Sequence, residues 1–533
     1  MKKCNTVSIF VAWAMTVSLL AGCQFSSEET NLDDVTENEV SNILDSNEVS
    51  EDELDDVMAE IDMCFVPMGS SPKDTQIVED AINDITEKEI NVHVKLNVIE
   101  AGNYDQQIGL MMTSGEKMDL IMTRPIGSCT FNNMASKKQF VDISTLLEEY
   151  APEIPTMLGE LLSATTVDGA VYGVPTYRNF VTGAWIVMRT DVLEDLGLLD
   201  KARNMTSFTE YEELLEAVKN SEKWNYLSGV VSSDANGLIL PLAGAYLGED
   251  KFSDAYYYDQ LGDLNKVVAI DPEGKDQEIY MNYATDSYKA MIDRMQGWYE
   301  KGYVYNDSAT TPDSAEILVR SDVAFSYFVE SELGVDVAKS AACGYDMTCV
   351  KIIDMPISTS SCTKFTWCVP VNSTEPEATI KFMNMMYTDA RIANLLAYGI
   401  ENIHYQVKDG VAYYMDGEDA NSCGYHTSDF QFGNQFLVLP WDGQSADFRE
   451  LAKAEMDNAK FSKYLGFSCD TSNIENAITS VTNVVAEFGP SLECGMASDS
   501  DYDAFIEKLN ASGVQDILAE YRKQLDEWLL EQK

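Results

Sequence analysis

Short apolar stretches alternate with longer helical stretches from Asp62 onward, and this alternation limits the folds open to the chain. Residues 62–69 and 92–102 predict buried strands, and residues 78–89 between them predict a helix. Residues 104–123 predict a further helix, a glycine turn and a short strand. Helices that connect successive short strands are typical of mostly parallel sheets. The sequence therefore predicts an α/β fold.

The pattern also predicts that the chain passes from one sheet to another at two places. The first lies near residues 172–190, where Gly173 and Pro175 interrupt regular structure before a new strand. The second lies near residues 365–400, and residues 443–533 are almost entirely helical in pattern. Ligands of open α/β sheets lie in the crevice at the strand ends. Residues at these passages are therefore the best candidates for a binding site.

The N-terminus has the layout of a secretory signal. Residues 1–22 combine a short basic start, an apolar run and small residues, and the ending Leu20-Ala21-Gly22-Cys23 resembles a bacterial lipobox. That resemblance makes Cys23 the predicted lipidation site, with an ordinary signal peptide that contains a cysteine as the alternative. Residues 23–60 are acidic and contain no Lys or Arg, which predicts a disordered tether. No later segment has the roughly 18 consecutive apolar residues of a transmembrane helix.

Charge and length narrow the functional classes. The net charge is −53, from 89 acidic and 36 basic residues among 533. Such a chain repels a phosphate backbone, so nucleic acid is excluded as a partner. Acidity of this size keeps a protein soluble and favours a monomer. The roughly 510 residues after Cys23 suffice for two or more domains.

Nine cysteines remain once Cys4 and Cys23 are set aside, which is an odd number for an exported protein. The pairs Cys343/Cys349 and Cys362/Cys368 share one spacing and raise the question of a four-cysteine zinc site. The short CxxC pairs of zinc sites are missing, so this signal is weak. Free buried thiols are the expected state, and one or more disulfides are the alternative. We predict no metal and no cofactor. The nine are Cys64, Cys129, Cys343, Cys349, Cys362, Cys368, Cys423, Cys469 and Cys494.

A series of motifs along the chain carries a family resemblance. They are SGEKMDLIMT (114–123), YGVPTYR (172–178), WYEKGYVYNDSATT (298–311), EPEATIKFMNMMYTD (375–389) and YGIENIHY (398–405). In this order they resemble the extracellular solute-binding lipoproteins of ABC importers, within the family-1-like, sugar-associated group. The C-terminal segments LPW (439–441), 464–495 and 518–529 resemble DUF3502, the domain of unknown function that ends proteins of this group.

The resemblance implies a periplasmic-binding-protein-like fold of two α/β lobes that are joined by hinge strands and close on a solute. It assigns residues 61–175 to the first lobe, with part of 305–370 returning to it. Residues 176–304 and 371–440 are assigned to the second lobe, and 441–533 to a helical C-terminal domain. The implied function is capture of an oligosaccharide without catalysis and its delivery to permease subunits, outside a Gram-positive cell. A peptide- or lipid-binding lipoprotein of the same fold and a surface glycoside hydrolase are the alternatives.

Five candidate ligand contacts follow from the predicted passages, the C-terminal domain and the glycine turn that ends at Asp119. Tyr177 and Arg178 follow the break at Pro175, and the guanidinium could bind hydroxyls or a uronate. Trp367, on a predicted hinge strand, and Trp441 could stack on a sugar ring. Asp119 could accept hydroxyl hydrogen bonds. The structural alternative is a hinge ion pair for Arg178, a core position for Trp367 and a turn cap for Asp119.

The tract 395–407 contains Glu401 and His404 in an i, i+3 arrangement, in a chain with three histidines. A dimetal carboxylate site needs this pair from each of two helices, and the chain offers it once. No H-E-x-x-H and no G-x-S-x-G is present, so zinc-protease and serine-hydrolase chemistry lack their residues. We therefore predict that His404 and Tyr405 have a structural role at the hinge. Tyr398 and Glu401 complete the set of candidate ligand contacts.

Overall fold

The computed structural model describes residues 57–67, 71–231, 250–263 and 265–532, and the backbone of 245–246. The predicted signal peptide, Cys23 and the tether up to residue 56 lie outside these residues. The first strand begins at Ala59, two residues inside the segment predicted as tether. None of the helices in the described residues combines the length and the hydropathy needed to cross a membrane.

The first lobe is built on a five-stranded sheet. Its first three strands are parallel, and the two strands at the other side run antiparallel to their neighbours. The strand Thr366–Cys368 is supplied by a distant part of the chain and inserts between two N-terminal strands. In sheet order the strands are Val92–Val98, Ala59–Phe65, Leu120–Met122, Thr366–Cys368 and Val174–Pro175.

Helices cover this sheet and bury their apolar faces against it. The helix Thr75–Ile90 buries Val78 and Ile82, and it ends at Asn91, whose φ of 56° is the left-handed conformation that asparagine tolerates at a helix terminus. The helix Pro376–Thr388 begins with a proline, which is favoured in the first turn. The other helices of this lobe are Tyr104–Ser114, Phe131–Ser136, Ser144–Tyr150, Glu153–Leu158 and Ala390–Tyr398.

The second lobe is built on a four-stranded sheet in the order Met347–Asp354, Gly183–Arg189, Ala324–Ser331 and Ser228–Val230. The strand Gly183–Arg189 is antiparallel to both neighbours, so the carboxyl end of Ala324–Ser331 lies beside Gly183. Its helices are Thr190–Asp195, Leu199–Arg203, Phe208–Asn220, Asp286–Glu300, Ala315–Arg320 and Val335–Cys343.

The C-terminal part is helical and extends the core of the second lobe. Val481, Phe505 and Leu525 belong to the same buried cluster as Ile186 and Phe328 of the second sheet and its surroundings. Three helices carry this core, Glu475–Glu493, Asp499–Ala511 and Val514–Glu531, whereas the helix Phe448–Asp457 buries Met456 in the core of the first lobe.

The predicted α/β fold with two lobes is confirmed, but the structure assigns two segments differently from the sequence analysis. Residues 371–440, expected in the second lobe, pack with the first, because Phe382 and Met386 are buried together with Phe65 of the first sheet. Of 305–370, only the strand Thr366–Cys368 pairs in the first sheet, and 324–354 supplies two strands of the second. Apolar periodicity identifies a strand but not the sheet in which it pairs.

Three passages of the chain lie side by side between the lobes. The first runs from Pro175 to Gly183, and the second runs from Asp354 to Thr366, earlier than the predicted 365–400. The third follows the helix Phe448–Asp457. Backbone hydrogen bonds join the passages: the Met355 N–H donates to Thr182 O (2.9 Å), and the Ile357 N–H donates to Lys460 O (2.8 Å).

Candidate functional site

Five aromatic rings meet beside the first lobe, and we refer to them as the aromatic cluster: Tyr398, Tyr405, Tyr414, His426 and Trp441. Tyr398 ends the helix Ala390–Tyr398, and Tyr405 pairs with Tyr414 in a two-stranded hairpin. The Trp441 ring centroid lies 4.6 Å from that of Tyr398, 4.8 Å from Tyr414 and 4.3 Å from His426. Trp441, Tyr414 and His426 remain partly exposed. The cluster therefore presents an accessible aromatic surface.

The cluster lies at the carboxyl end of the first sheet. The Gln431 amide donates to Val66 O (2.8 Å), just after the strand Ala59–Phe65, and Phe432 packs edge-on against Phe65. Residues 431 and 432, in the segment that joins His426 to Trp441, therefore lie at the end of this strand. This is where open α/β folds bind their ligands.

An ion pair joins the cluster to the lobe junction. Arg449 contacts Asp429 and donates to Leu439 O (3.1 Å), the carbonyl that also accepts from the Tyr398 hydroxyl (3.1 Å). Glu332 of the second lobe interacts electrostatically with Asp429 and Arg449. Burial raises the pKa of the Glu332 carboxyl, and the nearby Arg178 cation opposes this shift.

The two lobes also approach each other beside Trp441. A Cβ built on Gly443 would lie 2.7 Å from Val337 Cγ1, and one on Gly334 would lie 3.1 Å from Phe448 Cε2. Gly334 and Val337 belong to the second lobe, at the start of the helix Val335–Cys343. The segment after Trp441 thus lies against the opposite lobe.

The second lobe adds a tryptophan that the sequence analysis missed. Trp185 lies on the strand Gly183–Arg189, is partly exposed, and donates through Nε1 to Ser331 O (3.0 Å). Lys351 Nζ lies 4.9 Å from its ring centroid and 3.0 Å from the Glu455 carboxylate on the helix Phe448–Asp457. Its position directly after the first passage between the lobes was the sequence feature that could have identified Trp185 as a candidate.

Arg178 and Tyr177 are part of the hinge. The Arg178 guanidinium donates to Asn179 O (3.3 Å) and Ser361 O (3.2 Å), which ties the first passage to the second. Its burial lowers the pKa of the guanidinium. Tyr177 exchanges backbone hydrogen bonds with 433–435 and packs against Phe436. The structure thus favours the hinge role for Arg178, which is bonded to two backbone carbonyls and interacts electrostatically with Glu332.

Asp119 and Trp367 have no exposed surface, so the structure does not support their predicted ligand contacts. Asp119 is 0% exposed, and its carboxylate accepts from the Asp62 N–H (2.9 Å) and the Ser373 hydroxyl (2.7 Å). Trp367 is also 0% exposed, stacks on Phe432, and donates to Gln431 O (2.9 Å). Asp119 therefore has the turn-cap role, and Trp367 the core position, that were the structural alternatives.

His404 and Glu401 flank the aromatic cluster. His404 is 1% exposed, and its Nδ1 accepts from the Ile400 N–H (2.9 Å), while Nε2 lies 3.4 Å from Asp74 Oδ2. A Cβ on Gly399 would lie 2.5 Å from His404 Nδ1, so a glycine is required here. Glu401 is exposed and bridges to Tyr405 through its backbone. His404 therefore supports the turn beneath the cluster.

The two cysteine pairs do not form a joint site. Cys343 and Cys349 belong to a small core of the second lobe, whereas Cys362 and Cys368 lie in the first-lobe core. Each of the nine cysteines is a free thiol in the described part of the chain. Burial raises the pKa of Cys64 and of Cys349 to about 12, which keeps both as thiols.

Comparison with known proteins defines the class. Residues 80–412 match the family model described as bacterial extracellular solute-binding protein, and the chain belongs to this family. Residues 463–530 match the domain of unknown function DUF3502, which confirms the predicted C-terminal resemblance.

Particular relatives share the fold at low identity. The chain is 22% identical over 477 residues to a carbohydrate ABC transporter substrate-binding protein of Streptococcus pneumoniae, covering 87% of this chain and 90% of that protein. The crystal structure of the N-glycan transport solute binding protein NgtS from Streptococcus pneumoniae has a TM-score of 0.74 at 21% identity, and the alignment covers 89% of this chain and 100% of that one. An HMO-binding solute binding protein of Bifidobacterium longum infantis has a TM-score of 0.61 at 16% identity, covering 88% and 99%.

Proposed function

We propose that this protein is the carbohydrate-binding component of an ABC importer, which captures an extracellular oligosaccharide and delivers it to permease subunits. Membership of the solute-binding family supports the binding role. The carbohydrate names of the relatives in Streptococcus pneumoniae and Bifidobacterium longum infantis support the substrate class.

The observation that carries the proposal is the partly exposed Trp441 within the aromatic cluster, at the strand ends and beside the second lobe. A pyranose has an apolar face that stacks on an aromatic ring, while its hydroxyls require polar partners. Trp441 and Tyr414 offer such rings, and Glu401 and Asp429 offer carboxylates nearby. Trp185 and Glu332 are candidates for the opposing wall.

Capture would proceed by closure of the lobes about the three adjacent passages, without turnover of the sugar. Closure removes the stacked ring from water, which strengthens its hydrogen bonds with the protein. We further propose a monomer on the outer face of a Gram-positive membrane, held by lipid on Cys23 through the acidic tether. Loss of surface retention in Cys23→Ser, with release into the medium, tests the anchor.

A thermal-shift and calorimetric panel tests the function. The probes are Man5GlcNAc, kestose, an alginate oligosaccharide and a mixed-sequence peptide. A neutral glycan should raise the melting temperature, because a ligand that binds only the folded state stabilises it. Trp441→Ala should abolish this shift, and Tyr226→Ala, an exposed aromatic of the second lobe, is the matched control.

Two results would overturn the proposal. Stabilisation by the peptide alone would support the peptide-binding alternative. Sustained release of smaller sugars from any glycan would identify a hydrolase instead of a binding protein.

A further inference from the structure

His426 occupies the centre of the aromatic cluster. Its ring is parallel to that of Tyr398 (5.3 Å between centroids, 5° between planes), and Tyr414 and Trp441 approach at 5.2 and 4.3 Å. It comes from the loop between the hairpin and Asp429, in a Gly- and Ser-rich segment that predicted no regular structure. Three aromatic neighbours therefore fix the position of the imidazole.

One nitrogen of this imidazole has an unmet hydrogen bond. His426 Nδ1 is buried and has no partner among the described residues. The Nδ1 atoms of the other two histidines are paired, because His93 Nδ1 lies 2.8 Å from Glu87 Oε1 and His404 Nδ1 accepts from the Ile400 N–H. His404 Nε2 also has no hydrogen bond, but it lies 3.4 Å from the Asp74 carboxylate. A buried polar atom without a partner is unfavourable, because it has lost its hydrogen bond to water. Nine side-chain atoms of the described residues are in this state, and His426 Nδ1 is the one that belongs to the aromatic cluster.

We propose that His426 is a ligand-contacting, specificity-determining residue, whose free ring nitrogen pairs with a hydroxyl of the neutral sugar ring stacked on Trp441. This inference rests on the proposed carbohydrate-binding function and adds the residue and the charge class of the ligand. Nothing in the family match assigns a role to this position.

The chemistry of the neighbourhood favours a neutral sugar. A neutral imidazole has one donor and one acceptor nitrogen, and a hydroxyl can pair with either. Burial lowers the pKa of His426 to about 4, so the ring carries no charge near neutral pH. The Asp429 carboxylate interacts with the ring and would repel a uronate placed there. Arg449, the cation beside Asp429, is already engaged by it.

Binding measurements on two variants and a control test the contact. His426→Phe keeps an aromatic ring in the stack but removes both nitrogens, and His426→Asn keeps polar atoms but removes the ring. His93→Gln changes the partly exposed histidine of the strand Val92–Val98 and is the matched control. We expect His426→Phe to weaken binding of Man5GlcNAc or kestose about tenfold or more, because a sugar hydroxyl loses its partner. His93→Gln should bind like the wild type.

Imidazole ¹⁵N NMR of the wild type supplies a readout that does not depend on the folding of a variant. The chain has three histidines, so few signals need assignment. Saturation with the glycan should shift the His426 Nδ1 resonance and leave His93 unchanged.

The outcomes separate this inference from the function on which it rests. If no glycan of the panel binds, the proposed function and this inference both fail. If a glycan binds but His426→Phe retains wild-type affinity and the His426 resonance does not move, the inference is wrong while the function stands. Tighter binding of the alginate oligosaccharide than of the neutral glycans would overturn the assigned charge class.

Discussion

Trp367 and Trp441 were predicted for the same task, and the structure places them in regions of opposite character. Trp367 lies on a strand inside the first sheet, 0% exposed, with its indole N–H bonded to Gln431 O. Trp441 follows a proline in the loop beside the second lobe and remains partly exposed. An indole can stack on a sugar only where one face is open, so access and not residue type decides the role. Stability and affinity measurements should therefore separate the two regions.

Trp367→Ala should have the largest effect on stability. Removal of a fully buried indole leaves a cavity, and we expect a loss of about 3–5 kcal/mol in the free energy of unfolding. Urea denaturation measures this loss, and Trp367→Phe should recover part of it. If Trp367→Ala kept the wild-type free energy of unfolding but lost glycan affinity, Trp367 would be a ligand contact and not a core residue.

Asp119→Ala should also act on stability alone, by about 2–3 kcal/mol. The carboxylate accepts from the Asp62 N–H, the Ser373 hydroxyl and the Thr374 N–H, and these buried donors lose their partner. Urea denaturation measures the free energy of unfolding of this variant, and titration calorimetry on the same sample measures its glycan affinity. Weakened glycan binding with unchanged stability would contradict it.

Trp441→Ala should show the reverse pattern. We expect glycan affinity to fall at least tenfold, which corresponds to about 1.4 kcal/mol. The free energy of unfolding should fall by less than for Trp367→Ala, because this ring is partly exposed. Titration calorimetry gives the affinity. An affinity equal to that of the wild type would show that Trp441 of the aromatic cluster does not contribute to glycan binding.

The pH dependence of stability should report the burial of His426. The pKa of this imidazole is held at about 4 in the folded protein by burial, whereas an unperturbed histidine titrates near about 6.5. Between these values the unfolded chain binds a proton that the folded state does not. Stability is therefore full above the unfolded pKa and falls as the pH decreases through this window. His426→Asn should show a shallower decline in urea unfolding than the wild type, and equal slopes would contradict the burial.

The smallest effect is expected for Lys351→Met. Lys351 pairs with Glu455 across the junction at 3.0 Å, and both side chains are partly exposed. Exposed pairs contribute about 0.2–1 kcal/mol and weaken with salt. Unfolding at low and high ionic strength should show that most of the difference from the wild type disappears in salt. A larger, salt-independent loss would identify a buried contact instead.

Local structure was largely predictable from the sequence. The helix predicted over residues 78–89 is present in the structure as Thr75–Ile90. Apolar spacing and capping are local signals, so such elements can be located without knowledge of the fold. The lobe to which 371–440 belongs could not be located in this way, because it depends on pairing with residues several hundred positions earlier.

The candidate site was predictable only in part for the same reason. Tyr398 and Trp441 were named individually, and the structure brings them together. His426, Tyr414 and Trp185 were missed, because their roles arise from neighbours that are distant in sequence. Asp119 and Trp367 were misassigned as contacts because exposure depends on the assembled sheet, and a strand tryptophan looks the same in sequence whether it is covered or open.

The three adjacent passages between the lobes have a mechanical consequence. Two bodies joined at one flexible point can tilt in any direction, whereas three connections set side by side and cross-linked by backbone hydrogen bonds permit rotation about one line. The same arrangement makes the connection redundant. A protease that cut the chain once between Pro175 and Gly183 would leave the other two passages intact. The nicked molecule would therefore keep its two lobes connected in the same relative position.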